Sequence, residues 1–139
     1  MSKINGIYAA SVSILDENLK LDINKTIRHA ENLIKSGCHG VVIFGSTGQS
    51  QLISLEEKFE LIQNISKSIF KDKFIIGTGL NSLQDTISLI KISNSYNFNN
   101  FLIMPPAYYM YEDKDVIRFY IKLIEKLEKV KKQDFQKLI

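Results

Sequence analysis

The sequence predicts an α/β fold in which short parallel strands alternate with amphipathic helices. Three observations carry this. Four short apolar runs rich in Ile, Val and Phe are spread along the 139 residues. Each is followed by a turn and then by a stretch with apolar residues at helical spacing. The connections are short, and strands joined through covering helices run parallel.

The first run is Gly6 to Ser13. The helix after it starts near Asp22, a residue suited to an N-cap, and carries Ile23, Ile27, Ala30 and Ile34 on one face. Gly37 stands where a C′ glycine ends a helix. The second run, Gly40-Val41-Val42-Ile43-Phe44, is apolar and β-branched and reads as a strand buried on both faces. A loop from Gly45 to Ile53 leads to Ser54-Leu55-Glu56-Glu57, a capping box with Ser54 at the N-cap and Glu57 at N3. The helix it opens is expected to turn Phe59, Ile62 and Ile69 inward. The third run is Phe74 to Thr78; its helix starts near Ser82, with Asp85 three residues on, and runs to about Tyr96. The fourth run, Phe101 to Met104, is stopped by Pro105-Pro106, and a last helix runs from about Asp113 past Lys129. No Pro/Gly/Ser-rich linker divides the chain, so residues 1–139 are expected to form one domain, with an atypical charged tail at about 130–139.

Four strand–helix units with right-handed crossovers fit an open doubly wound sheet or a closed eight-stranded barrel. A complete barrel needs about 250 residues, so this chain supplies about half the strands of one.

Hydrophobic content of 45% and charged content of 24% are ordinary for a globular domain. A net charge of +3 is too small to argue for nucleic acid. The tail lysines Lys126, Lys129, Lys131, Lys132 and Lys137 are interleaved with Glu125, Glu128 and Asp134, which reads as a solvated helix face. No apolar run approaches the ~20 residues that span a bilayer, so no membrane association is expected. Ser11, Ser13 and Asp16 interrupt any signal-like core. Cys38 is the only cysteine, which excludes an internal disulfide and fits a reducing cytoplasm.

In both architectures ligands bind at the C-terminal ends of the strands. The loops to inspect are therefore Gly45-Ser46-Thr47-Gly48-Gln49-Ser50, Gly77-Thr78-Gly79-Leu80-Asn81 and Pro105-Pro106-Ala107-Tyr108-Tyr109. In the first, two glycines bracket two hydroxyl residues. Such a loop can turn consecutive N–H groups and the Ser46 and Thr47 hydroxyls toward a carboxylate or phosphate. It matches neither a Walker A loop nor GxGxxG. His29, His39 and Cys38 lack the further partners a zinc site needs, and Asp22, Asp85 and Asp113 read as helix-start residues.

Gly45-Ser46-Thr47-Gly48 after the second strand resembles the signature of the dihydrodipicolinate synthase / N-acetylneuraminate lyase family. Ile76-Gly77-Thr78-Gly79 with Asn81 resembles that family's third strand-end loop, and Pro105-Pro106-Ala107-Tyr108-Tyr109 its fourth. The likeness runs to about Lys129. It implies a TIM (β/α)8 barrel, present here as about its first four βα units, and a pyruvate-dependent class I aldolase. In that chemistry a lysine forms a Schiff base with the ketone, and the enamine adds to an aldehyde; the reverse reaction cleaves a keto acid.

The resemblance implies that Gly45, Ser46, Thr47 and Gly48 bind the carboxylate of pyruvate or another 2-keto acid. It also implies that Ser46 or Thr47, with Tyr108, form a proton relay that in many members spans two subunits; a homo-oligomer is therefore expected. Two departures stand out. Gln49 replaces a frequent glutamate, and Ala107 occupies an often aromatic place, so Tyr109 and Tyr111 compete with Tyr108. No metal or cofactor is implied.

The family's Schiff-base lysine lies on the sixth strand, beyond this half. Lys73 sits at the wrong end of a strand, and the helix lysines read as solvated, so no substitute is expected. The 139 residues are therefore expected to be an N-terminal, truncated fragment of such a lyase, inactive alone. The substrates in prospect are aspartate semialdehyde with pyruvate, sialic acid or sugar-derived keto acids. The competing expectation is a non-catalytic half-barrel that binds or assembles through its open strands.

Overall fold

A computed structural model describes residues 4–136, with side chains as far as Glu128. Strands β1 (Tyr8–Ala10), β2 (Gly40–Ile43), β3 (Phe74–Gly77) and β4 (Phe101–Leu102) form one sheet in the order β1-β2-β3-β4. All three pairings are parallel. Helices α1 (Ile23–Lys35), α2 (Leu55–Ile65), α3 (Leu83–Ser95) and α4 (Asp113–Gln136) follow the strands in turn. Sequential order without reversal excludes the doubly wound alternative and gives half of a (β/α)8 barrel. Of the charged tail, the backbone to Gln136 continues α4; Lys137, Leu138 and Ile139 lie outside the described residues.

The sheet is sealed mainly on its helix side; on the concave side Ile75 of β3 is buried as well. Val41, Ile43, Phe74 and Ile76 alternate toward the helices and are buried. Their alternates face the concave side, where Val42 is half-buried, Ala10 is exposed and Leu102 is 52% exposed. The expectation that β2 is buried on both faces therefore fails at Val42.

Helix starts follow the capping chemistry. The Asp22 side chain accepts from the Lys25 N–H, and Ser82 accepts from the Asp85 N–H. Ser54 and Glu57 satisfy one another's backbone reciprocally. The Glu57 carboxylate also accepts from the Leu21 N–H at 2.8 Å, which ties the start of α2 to the segment leading into α1. That bond, with those from Ser54, holds the Glu57 carboxyl below its ordinary value. Gly37, at φ +109°, ends α1 in the left-handed region.

The inward face of α2 is Lys58, Leu61, Ile62 and Ile65. Ile69 was expected there; the helix stops at Ile65, and Ile69 is 91% exposed. Strand β4 is shorter than the apolar run Phe101 to Met104; just beyond it the hydroxyl of Tyr120 on α4 donates to the Ile103 carbonyl at 2.9 Å. On α4, Leu123 packs on Ile87 and Ile90 of α3. Ile117, Ile121 and Ile124 stay about half exposed, at 59, 49 and 55%.

Candidate functional site

The second strand ends in a forced turn. Phe44 takes a left-handed backbone, φ +56°, while its ring is buried. A non-glycine residue holds that conformation only where its surroundings compel it. Here the end of β3 lies so close that a Cβ at Gly77 would overlap the Phe44 carbonyl. Glycine at 77 is what lets the two strand ends meet.

The loop after Phe44 folds on itself. The Gln49 N–H donates to the Ser46 carbonyl at 3.0 Å and the Ser50 N–H to the Gly45 carbonyl at 3.4 Å. The Ser13 hydroxyl donates to the Gly48 carbonyl at 2.6 Å and anchors the turn to the segment after β1. Among the described residues, nothing accepts from the N–H groups of Ser46, Thr47 and Gly48. The loop thus carries three consecutive N–H groups without an acceptor among the described residues, beside the exposed Ser46 and Thr47 side chains, donors of the type that bind anions.

The Thr78 carbonyl is the junction behind this loop. It accepts from the Ser50 hydroxyl at 3.2 Å and from Lys58 Nζ at 3.1 Å. The Thr78 N–H donates to the Leu102 carbonyl at 3.0 Å, which adds β4 to the junction. The Thr78 hydroxyl is buried without a partner. One loop further, Asn81 Oδ1 accepts from the Ala107 N–H at 2.8 Å and joins the third and fourth strand-end loops.

These loops border an open cavity of about 570 Å³. Phe44, Gly45, Ser46 and Gln49 to Leu52 line one side; Gly79 and Leu102 to Met104 line the other. No lining side chain is charged. Gly45 and Ser46 thus border the cavity, whereas Thr47, Gly48 and Tyr108 are not among its walls. Tyr108 has φ +82° and is 91% exposed, edge-on to Tyr109 at 5.2 Å between ring centroids. Tyr109 and Tyr111 are exposed as well.

The expectation that the helix lysines are solvated fails at Lys58. Its side chain is fully buried, with Nζ 5.6 Å from the centre of the Phe44 ring, and among the described residues it has no ion pair. Burial pushes its pKa down to about 8. The signal was present: Lys58 shares the helical stripe of Leu61, Ile62 and Ile65. Lys73, by contrast, is exposed before β3. His39 Nδ1 accepts from the Ile7 N–H at 3.0 Å. Among the described residues there is no group of three potential metal ligands, and no helix is long and apolar enough to cross a membrane.

The dihydrodipicolinate synthetase family matches residues 3–129. A 4-hydroxy-tetrahydrodipicolinate synthase of Leptospira biflexa is 35% identical over 104 residues, which is 74% of this chain and 35% of the relative. Among solved structures, a dihydrodipicolinate synthase from Agrobacterium tumefaciens superposes with a TM-score of 0.81 at 22% identity, covering 88% of this chain and 43% of that one. A variant 2-keto-3-deoxygluconate aldolase of Sulfolobus solfataricus, in complex with pyruvate, gives 0.76 at 26% identity, with 87% and 41% covered. The chain thus spans well under half the length of the relatives it matches.

The buried lysine makes stability depend on pH in a defined direction. Its folded pKa of about 8 lies below its ordinary 10.5, so the folded state binds fewer protons between those values. Stability therefore rises with pH across that window, by about 3 kcal/mol if the whole shift acts. Urea denaturation at pH 7 and pH 10 should register this rise. Lys58→Met should be more stable than the unmodified protein at pH 7 and should lose the rise; an unchanged pH response would refute the assignment.

Proposed function

Since the chain belongs to the dihydrodipicolinate synthetase family, we propose that it is the carboxylate-binding half of a Schiff-base aldolase acting on pyruvate or another 2-keto acid. The N–H groups of Ser46, Thr47 and Gly48, which have no acceptor among the described residues, carry this reading; Ser46 lines the cavity and the other two follow it in the loop. They hold the carboxylate, with Gly45 supplying the backbone approach. The apolar side, Leu102 to Met104, accommodates the carbon chain.

The Ser46 or Thr47 hydroxyl then passes a proton to the ketone oxygen, which leaves as water when an amine condenses at that carbon. Tyr108 completes the relay. Its exposure fits a role at the site of a neighbouring subunit in a homo-oligomer. The amine that condenses with the ketone comes from the sixth strand of a complete barrel, outside these 139 residues. Taken alone, they bind the keto acid and do not turn it over. The aldehyde partner is selected by the half of the barrel that carries that amine.

Titration with pyruvate at pH 6.5, followed by amide NMR, tests the assignment. Signals of Ser46, Thr47 and Gly48 should move first and saturably, and Ser46→Pro should abolish the response by removing a donor. Shifts confined to other loops would defeat it.

The uncovered concave face and the apolar stripe Ile117, Ile121 and Ile124 favour a second reading, in which two copies associate through these surfaces. Sedimentation velocity should then give a dimer. A well-folded, strictly monomeric species would argue against it.

A further inference from the structure

Of the buried ionisable groups, Lys58 is the one that the assigned chemistry leaves idle. It lies on α2, which comes directly after the candidate loop, and its Nζ reaches back to that loop's foundation. Two contacts define its position. The ammonium stands over the Phe44 ring, and it shares the Thr78 carbonyl with the Ser50 hydroxyl. Phe44 and Ser50 are both walls of the cavity. The charge therefore sits one residue behind the wall, not at a distant point in the core.

Among the described residues, no carboxylate pairs with it. Glu57, its neighbour on α2, is committed to Ser54 and Leu21. Glu56 and Glu60 of the same helix are exposed. Glu31 on α1 pairs with Lys35, and Asp85 at the start of α3 makes no ion pair with Lys58. Burial is what lowers its pKa. The loop itself carries the neutral Gln49. An unpaired buried ammonium is costly, and the protein offers it one carbonyl and one aromatic face.

We propose that Lys58 is a positioning residue for the carboxylate of the bound 2-keto acid, supplying from behind the Phe44–Ser50 wall the positive potential toward which the Ser46, Thr47 and Gly48 amides hold the anion. The amides give direction and the ammonium gives charge. In a cavity without charged walls this one cation sets the preference for an anion over a neutral carbonyl compound. The inference rests on the reading of the loop as a carboxylate site.

Pyruvate affinity as a function of pH tests it. Methyl signals of Thr47, Leu102 and Ile103 report binding where amide protons exchange too fast. Affinity should fall roughly tenfold between pH 7 and pH 9.5, the size expected when one unit charge behind the cavity wall is lost at intermediate dielectric. Lys58→Met should bind at pH 7 with that reduced affinity and a flat profile. Lys58→Arg should retain the pH 7 affinity and lose the fall. A flat profile for the unmodified protein, or an undiminished fall in Lys58→Met, would overturn the role of Lys58 while leaving the carboxylate site standing. No saturable response to pyruvate at pH 7 would overturn the site, and this inference with it.

Discussion

The close approach of β2 and β3 at their C-terminal ends governs the rest of the molecule. Gly77 has no side chain, so the end of β3 can press against the Phe44 carbonyl. Phe44 turns out of the strand as a result, its ring goes into the core, and its backbone starts the loop that carries the candidate site. Every later feature inherits this geometry. Ser50 reaches the Thr78 carbonyl because the two loops start side by side, and Lys58 reaches it because α2 begins where the first loop ends.

The design separates two tasks. The helix side of the sheet holds the stability, with Val41, Ile43, Phe74, Ile76, Leu61 and Ile62 in one cluster. The rim holds the polar work: free amides on one loop, hydroxyls beside them, and a buried ammonium beneath. Lys58 belongs to both. It occupies a core position on the α2 stripe and spends it on a charge, which lowers stability below pH 8. Such a cost at a strand-end rim is what a binding role would explain.

Much of this was legible from residue types. Asp22, Ser54 with Glu57, and Ser82 mark helix starts because short side chains satisfy specific N–H groups, a local chemistry that tertiary packing does not override. The loop Gly45 to Gly48 was legible for a similar reason: glycines and hydroxyls after a β-branched run point to an exposed turn. Three things were not. Ile69 reads as a core residue by hydrophobicity, yet α2 ends four residues earlier, and helix length is decided by where Ser66 to Phe70 fold back. Val42 reads as doubly buried by its β-branched run, yet it faces the concave side and is only half-buried. Lys58 reads as solvent-facing by charge alone, although its spacing to Leu61, Ile62 and Ile65 placed it on the apolar stripe. Tyr108 is a fourth case of another kind: its loop is recognisable, but its orientation depends on what it packs against.

The central claim is that these 139 residues hold a keto acid without condensing with it. Intact-mass measurement after treatment with pyruvate and borohydride is the most direct test. The account predicts an unchanged mass for the folded chain at pH 7 to 8, with Lys58 unmodified although it is buried and its pKa is lowered to about 8. A gain of one reduced pyruvate, mapped to a peptide containing Lys58 or any other lysine, would contradict it and make this half of the barrel the seat of the Schiff-base chemistry.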